Sequence, residues 1–357
     1  MAPVEHRETN FPASLVAIAE RVEHRIVSLL DDEARRWSAV DPVLADPFAE
    51  LRAFVVGGGK RLRPAFCHCA FVGAGGDPDA PEVVDAAAAL ELVHTFALVH
   101  DDVMDGSDSR RGRPAVHRRF ADEHAAASWR AEPRRFGDGM AILVGDFAFV
   151  YADVLMRGAP APALDVFDAL RIELCVGQSL DLVSTARGTT DTATANRIAT
   201  YKSAKYTVEG PLHLGAALAG KLDDLAAPLS AIGLPLGAAF QLRDDLLGAF
   251  GDADVTGKPV GDDLREGKTT PLVAFATERS DDADRRVLER LGAPNFSRDD
   301  VAALQDVFVR TGAVKEVERR IDELVGEAHT ALAAAPLAPI ARERLTELAD
   351  YVAWRDH

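Results

Sequence analysis

Two groups of aspartates carry the strongest chemical signal in this chain. Asp101-Asp102-Val103-Met104-Asp105 closes a strongly apolar run from Val83 to His100, and Asp244-Asp245 closes another from Leu234 to Leu242. Carboxylates at the ends of apolar helices are costly to bury unless cations neutralise them. Two such groups facing each other would form a hard, oxygen-lined cage suited to Mg2+ and a polyphosphate. On a helix, Asp101 and Asp105 fall one turn apart on a shared face, with Asp102 flanking them. The chemistry this suggests is metal-assisted work on a diphosphate. The plainer alternative for either group is a solvated acidic helix end.

Cations stand close to these acids. Arg110-Arg111 follow the first group, and arginine forks match phosphate as the carboxylates match metal. Upstream lies Gly57-Gly58-Gly59-Lys60-Arg61-Leu62-Arg63-Pro64. Its glycines let backbone N–H groups approach an anion, and Lys60 and Arg63 add charge-assisted bonds. It is not a Walker A loop, because no Lys-Ser/Thr closes the required spacing. Three further segments deserve mention: Gln178 with Asp181, one turn apart; Tyr201-Lys202-Ser203-Ala204-Lys205; and Val255 to Thr270, holding Lys258, Asp262, Asp263 and Lys268 among glycines. Each alone reads more readily as surface than as site.

The elements that must position these residues read as helices. Ser14 to Trp37 places Leu15, Ile18, Ala19, Val22, Ile26, Leu29 and Leu30 on one stripe. Pro81 to His100 is Ala-rich and apolar almost all round, which marks a buried central helix. Helical spacing continues over 140–157, 163–183, 193–218, 228–249, 285–291, 299–311, 314–334 and 340–354, with no convincing strand alternation and no Asn-Gly hairpin signal. The expectation is an all-α, single-domain helical bundle over 1–357, with a flexible terminus at 1–13 and an exposed excursion over 120–139. Bundles build ligand sites in their cores from inward-facing side chains.

With 357 residues, 48% of them hydrophobic, the chain can bury a large core. Its net charge of −17 argues against nucleic acid or an anionic membrane as the main partner. An anionic substrate would therefore need a local basic island. Three cysteines, Cys67, Cys69 and Cys175, make no disulfide framework, and Cys67-His68-Cys69 lacks a second ligand pair for zinc. Met1 to Asn10 has no apolar signal region, and every long apolar run is broken by Gly or Pro. A cytoplasmic protein without a membrane span is expected.

GGGKRLRP, HDDVMDGSDSRRGRPAVH, GQSLDL, YKSAKYT and FQLRDD occur in this order. Taken together they resemble the trans-isoprenyl diphosphate synthases, the polyprenyl synthetase family, and most of all its short-chain geranylgeranyl members. The resemblance covers roughly Phe48 to Thr270. It implies an isoprenoid-synthase fold, a homodimer, and condensation of isopentenyl diphosphate with an allylic diphosphate (dimethylallyl, geranyl or farnesyl). By that resemblance Asp101, Asp102 and Asp105 attend two Mg2+ ions, and Asp244 and Asp245 a third, with Mn2+ able to substitute. Arg110, Gln178, Asp181, Lys202, Lys258 and Lys268 would serve the allylic diphosphate. Gly59, Lys60, Arg63, His94 and Arg111 would serve isopentenyl diphosphate, while Lys202, Ser203 and Gln241 would line the allylic cation.

The second aspartate motif departs from the family's DDxxD, reading Asp244-Asp245-Leu246-Leu247-Gly248. Asp263 aligns best as a substitute carboxylate, with Asp252 as another, and weaker binding of the third metal is expected. In the family, bulk below the first motif sets product length. Phe96 lies about 7.5 Å down the helix from Asp101, beside the small Ala97, which resembles C20 synthases. Farnesyl (C15) and longer (C25 and above) products stay open, as does a low-activity partner subunit. A class I terpene cyclase would share the helical fold but would need a different second metal motif.

Overall fold

The computed structural model describes residues 12, 15–189, 191–251 and 260–354. Helix α1 (Val16–Ser38) buries Ile18, Val22, Ile26 and Leu30, the four-residue spacing of a single apolar stripe. After α2 (Asp46–Val56) and α3 (Leu62–Gly73) comes α4 (Pro81–Asp105). Pro81 opens α4 where a missing N–H costs nothing, and Gly106, at φ +68, ends it. Its alanines, Ala86 to Ala89, are buried on successive faces, so neighbouring helices pack close around it. The first aspartate group thus forms the last turns of a helix sunk in the core.

The chain next makes a short antiparallel ribbon, β1 (Ser109–Arg110) with β2 (Arg113–Pro114). Arg111 (φ +52) and Gly112 (φ +71) form its two-residue turn, both left-handed as a type I′ hairpin requires. Arg-Gly here does the work of Asn-Gly, which is why the sequence shows no hairpin signal. Helix α5 (Val116–Ala126) packs against α6 (Pro133–Met156). This corrects the expected excursion over 120–139: Phe120, Ala121, His124 and Gly137 are buried, and only 125–132 is exposed throughout. His124, Trp129 and Phe136 pack their rings together beneath that turn.

Then follow α7 (Ala161–Arg187), α8 (Thr192–Ile198), a π-helix (Ala199–Glu209), α9 (Gly210–Leu218) and α10 (Leu222–Phe250). The C-terminal part holds α11 (Asp262–Glu266), α12 (Pro271–Arg279), α13 (Asp282–Leu288), α14 (Arg298–Arg310), α15 (Ala313–Ala334) and α16 (Pro339–Trp354). One large apolar core surrounds α3, α4 and the first half of α10. A smaller one lies between the second half of α10 and α12, α14 and α15. Helix α10 belongs to both, so it carries Asp244 and Asp245 from one core to the other.

Against the expectation of no membrane span, Pro81–Asp105, Pro133–Met156 and Leu222–Phe250 are long and apolar enough to cross one, by length and composition. The expectation relied on Gly and Pro as breaks, yet Gly137, Gly145, Pro228 and Pro235 all lie inside continuous helices. Much of the α4 span, 61%, is buried inside the protein, which accounts for its apolar character without a bilayer.

Candidate active site

The C-terminal turns of α4, the π-helix and α10 enclose a cavity of about 1220 Å³. Asp101 lines one wall, and Asp244, Asp245 and Asp263 line another. Cations span the space between them. Lys268 Nζ lies 2.8 Å from Asp105 Oδ2 and 3.5 Å from Asp263 Oδ1, so one ammonium touches both acidic groups. Lys202 Nζ lies 2.6 Å from Asp181 Oδ2 and 3.2 Å from Asp101 Oδ1. Burial works against both charges, but the surrounding carboxylates outweigh it and hold each lysine above its ordinary range. Gln178 donates to Asp101 at 3.0 Å.

Lys202 and Ser203 owe their placement to the π-helix, whose wider turns break the 3.6-residue repeat. A wide helix needs thin neighbours. A Cβ on Gly177 of α7 would fall 2.3 Å from the Lys202 backbone nitrogen, and one on Gly237 of α10 2.5 Å from the Ala204 Cα. The two glycines let backbone meet backbone on either side. Ser203 then donates to Gln241 Oε1, and Gln241 donates onward to Asp245 Oδ1 at 2.7 Å. Burial first, then Asp263, Asp244 and Asp181, push the Asp245 carboxyl well above the carboxylate range. Its other oxygen, Oδ2, is buried without a hydrogen-bond partner.

A third wall is basic. Gly59, Lys60, Arg63, His94 and Arg111 all line the cavity. Arg63 donates to Thr207 at 2.8 Å, and its guanidinium carbon lies over the Tyr206 ring, 4.3 Å from the centroid. Arg111 reaches back to the Gly58 carbonyl, and its neighbour Arg113 donates to Ala53 O at 2.9 Å. The hairpin therefore ties the end of α4 to the glycine loop.

The sequence model of the family described as Polyprenyl synthetase matches residues 47–308. The chain belongs to the polyprenyl synthetase family. A short chain isoprenyl diphosphate synthase from Methanothermobacter thermautotrophicus is 34% identical, over 93% of this chain and 98% of its own length. A geranylfarnesyl diphosphate synthase from Aeropyrum pernix is 32% identical, over 84% and 91%. Among solved structures, a geranylgeranyl pyrophosphate synthase from Corynebacterium glutamicum, complexed with isoprenyl diphosphate and magnesium, superposes with TM-score 0.89. It is 37% identical, over 95% of this chain and 98% of that one. The all-helical fold and trans-prenyl diphosphate synthase activity follow from these likenesses.

In this polyprenyl synthetase, several positions differ from their expected placement. Asp102, expected to flank the metals, is 1% exposed and absent from the cavity wall. It lies a third of a turn from Asp101 and accepts Arg110 Nε at 2.8 Å and Nη2 at 2.6 Å, so it positions that arginine. Phe96 does not line the cavity either; Ala97, one turn before Asp101, does. The Phe96 ring turns toward α6 and packs on Phe149 and His100, each at 4.7 Å. Gly248 is filled from outside, for a Cβ there would sit 2.3 Å from Asp263 Oδ2. At the same point Gly261 N donates to Gly248 O at 3.0 Å. Lys258 and Asp252 lie outside the described residues.

Other wall residues escaped the sequence reading. Glu91, Tyr206 and Tyr351 line the cavity, the last from α16 at the end of the chain's helices. Glu266 lies beside Lys268 and accepts from Ser107 at 3.0 Å; burial, with Asp105 adding to it, pushes its carboxyl up to about 7 against the pull of Lys268. Acids spaced at one turn from recognised residues, as Glu91 is from His94, were the available signal.

His94 is held well below its ordinary range by enclosure and by Arg63, Arg111, Arg110 and Arg61. It is neutral in the folded protein where the unfolded chain titrates near 6.5. Stability is therefore intact above that pH and falls as pH drops through it, by up to about 1.4 kcal/mol per pH unit. Urea unfolding of His94→Gln between pH 7.5 and 5.5 is expected to show a shallower decline than the parent. Parallel curves would remove His94 as a source of the slope.

Proposed function

We propose that the protein joins isopentenyl diphosphate to an allylic diphosphate, head to tail, and stops at geranylgeranyl diphosphate (C20). The observation carrying this reading is the single cavity with two acidic walls, cations between them, and a separate basic wall. The acidic walls suit Mg2+, because every donor is a hard carboxylate oxygen and Asp245 Oδ2 is left unpartnered. Among the described residues no three His, Cys, Asp or Glu side chains stand close enough to grip an ion unaided. Mg2+ commonly takes one or two carboxylates and completes its shell with phosphate oxygens and water. Asp101 and Asp105 on one side, with Asp244 and Asp263 on the other, would hold the ions, and three per site is the count we propose. When bound, Mg2+ would supply positive charge against the diphosphate oxygens as the allylic C–O bond ionises.

The chain's own residues supply the rest. Lys202, Lys268 and Arg110 place fixed positive charge where the leaving diphosphate gains negative charge. Lys60, Arg63 and Arg111 hold the second diphosphate on the basic wall, bringing its double bond toward the allylic carbon. Ser203 and Gln241 turn dipoles toward the cation without offering a nucleophile. Pyrophosphate released at the first site is the base best placed to take the proton that restores a double bond.

C20 is favoured by the likeness to the Corynebacterium glutamicum synthase. It is also favoured by Phe96, which precedes the cavity-lining Ala97 on α4 by one position and packs on Phe149 with the rings tilted at 46°. Phe149 itself lines an exposed apolar groove with Ile172 and Val176. Incubation with Mg2+, labelled isopentenyl diphosphate and each allylic starter, followed by chromatography of the dephosphorylated products, tests both points. The parent is expected to give a C20 alcohol and Phe96→Ala a longer one. Unchanged length in Phe96→Ala would remove the Phe96–Phe149 pair as the stop; no elongation by folded parent would favour a partner-subunit role.

A homodimer is also proposed. Ile142, Leu143 and Val150 on α6 and Ile172, Val176 and Val183 on α7 are all at least 45% exposed, apolar side chains that a second copy would cover. Sedimentation velocity at micromolar concentration should give twice the mass of 38.2 kDa; a species of single mass would remove the proposal.

A further inference from the structure

Arg61 sits between the two cations expected to meet the isopentenyl diphosphate, Lys60 and Arg63, yet it is built differently from either. Its backbone is left-handed, at φ +46, on a residue with a full side chain. Such a conformation is unfavourable outside glycine, so tertiary contacts must hold it. The guanidinium is 4% exposed and donates three times: to Glu91 Oε1 at 2.6 Å, Glu23 Oε2 at 3.0 Å, and the Val55 carbonyl at 2.6 Å. These partners belong to α4, α1 and α2. The loop is wrapped around this group, for a Cβ at Gly59 would fall 2.7 Å from Arg61 Nη1.

Glu91 is the other half of the arrangement. It is 3% exposed and stands one turn before His94 on α4, facing the same cavity. A buried carboxylate beside an anion site opposes binding by simple charge, and a buried pair contributes little net stability by itself. Its position makes sense if it holds Arg61, and through Arg61 the loop. It also draws on Arg111, whose charge Glu91 favours while burial and the neighbouring arginines oppose it.

We propose that Arg61 and Glu91 form a positioning pair for the isopentenyl diphosphate wall: their buried ion pair locks the Gly57–Arg63 loop so that Lys60 and Arg63 converge on one diphosphate. Neither residue touches substrate in this reading. The proposal rests on the synthase function above, which turnover by the parent protein tests separately. Removing the pair loosens one wall and leaves the acidic walls as they were.

The experiment is steady-state kinetics with each substrate varied in turn, for Arg61→Met, Glu91→Gln and Arg61→Met/Glu91→Met. The double variant replaces a buried ion pair by apolar side chains, a change often neutral for stability, so it serves where a single variant unfolds. At least about a tenfold rise in KM for isopentenyl diphosphate is expected, with KM for the allylic diphosphate within about twofold of the parent. Arg61→Lys should recover part of the loss, since it keeps the charge but not the fork. Equal rises in both KM values, or none in folded variants, would overturn the proposal. So would failure of all three to fold, since the pair would then be holding the whole fold and not one wall. A parent without turnover would instead sink the synthase reading.

Discussion

Asp101→Asn is expected to lower kcat by about a thousandfold and to leave the fold intact. Asparagine keeps the shape and one acceptor, so the Gln178 amide still has a partner, while the charge that would help hold a metal ion is gone. A lone solvated helix end would lose almost nothing by this change. Asp101 is instead met by Lys202 at 3.2 Å and Arg110 at 3.7 Å on a cavity wall. Asp102→Asn makes the natural contrast. Its target lies buried beneath Arg110, so breaking that pair is expected to destabilise the fold by about 3–5 kcal/mol. Single-turnover kinetics beside thermal unfolding separates the two neighbours. Asp101→Asn within tenfold of the parent would end the assignment of Asp101 to the metals.

Gly177→Ala should lower kcat by about a hundredfold through geometry alone. The added methyl meets backbone, at 2.3 Å from the Lys202 nitrogen, and no flexible side chain can move aside. Either α7 or the π-helix must shift. Lys202 and Ser203 ride on the π-helix, so their groups would move relative to the acidic walls, and a displacement near 1 Å is enough for the loss. Overpacking of this kind also costs typically about 1–3 kcal/mol of stability. Gly139→Ala, where an added Cβ meets nothing within 4 Å, is the matched control on another helix. Equal activity in the two variants would mean that the close approach at Gly177 does not position the lysine.

The helices were largely legible because apolar spacing reports which face is buried, and Val22, Ile26 and Leu30 duly point inward. The start of α10 was not, since Pro228 reads as a boundary and lies inside the helix. The π-helix has no local signature: its cause is the thinness of α7 and α10 beside it, which a one-dimensional pattern does not carry. The site showed the same division. Charged residues in motifs, such as Lys60 and Asp244, reached the cavity wall. Asp102 and Phe96 did not, because one residue along a helix turns a side chain by 100°. Arg61, inside a quoted motif, was passed over because its role depends on Glu23 and Glu91 far away in sequence.

Lys268, lodged between Asp105 and Asp263, gives the catalytic cycle a particular economy of exchange. Asp101, Asp105 and Asp263 already face ammonium or guanidinium groups of the same chain, so a metal–diphosphate, when bound, would exchange ion pairs with them. A swap of ion pairs changes the free energy far less than neutralising bare buried charge. The same partners stand ready to reclaim the carboxylates when pyrophosphate leaves. Tight selection of a highly charged reactant and prompt release of a highly charged product then draw on one set of groups. High salt should slow both directions together.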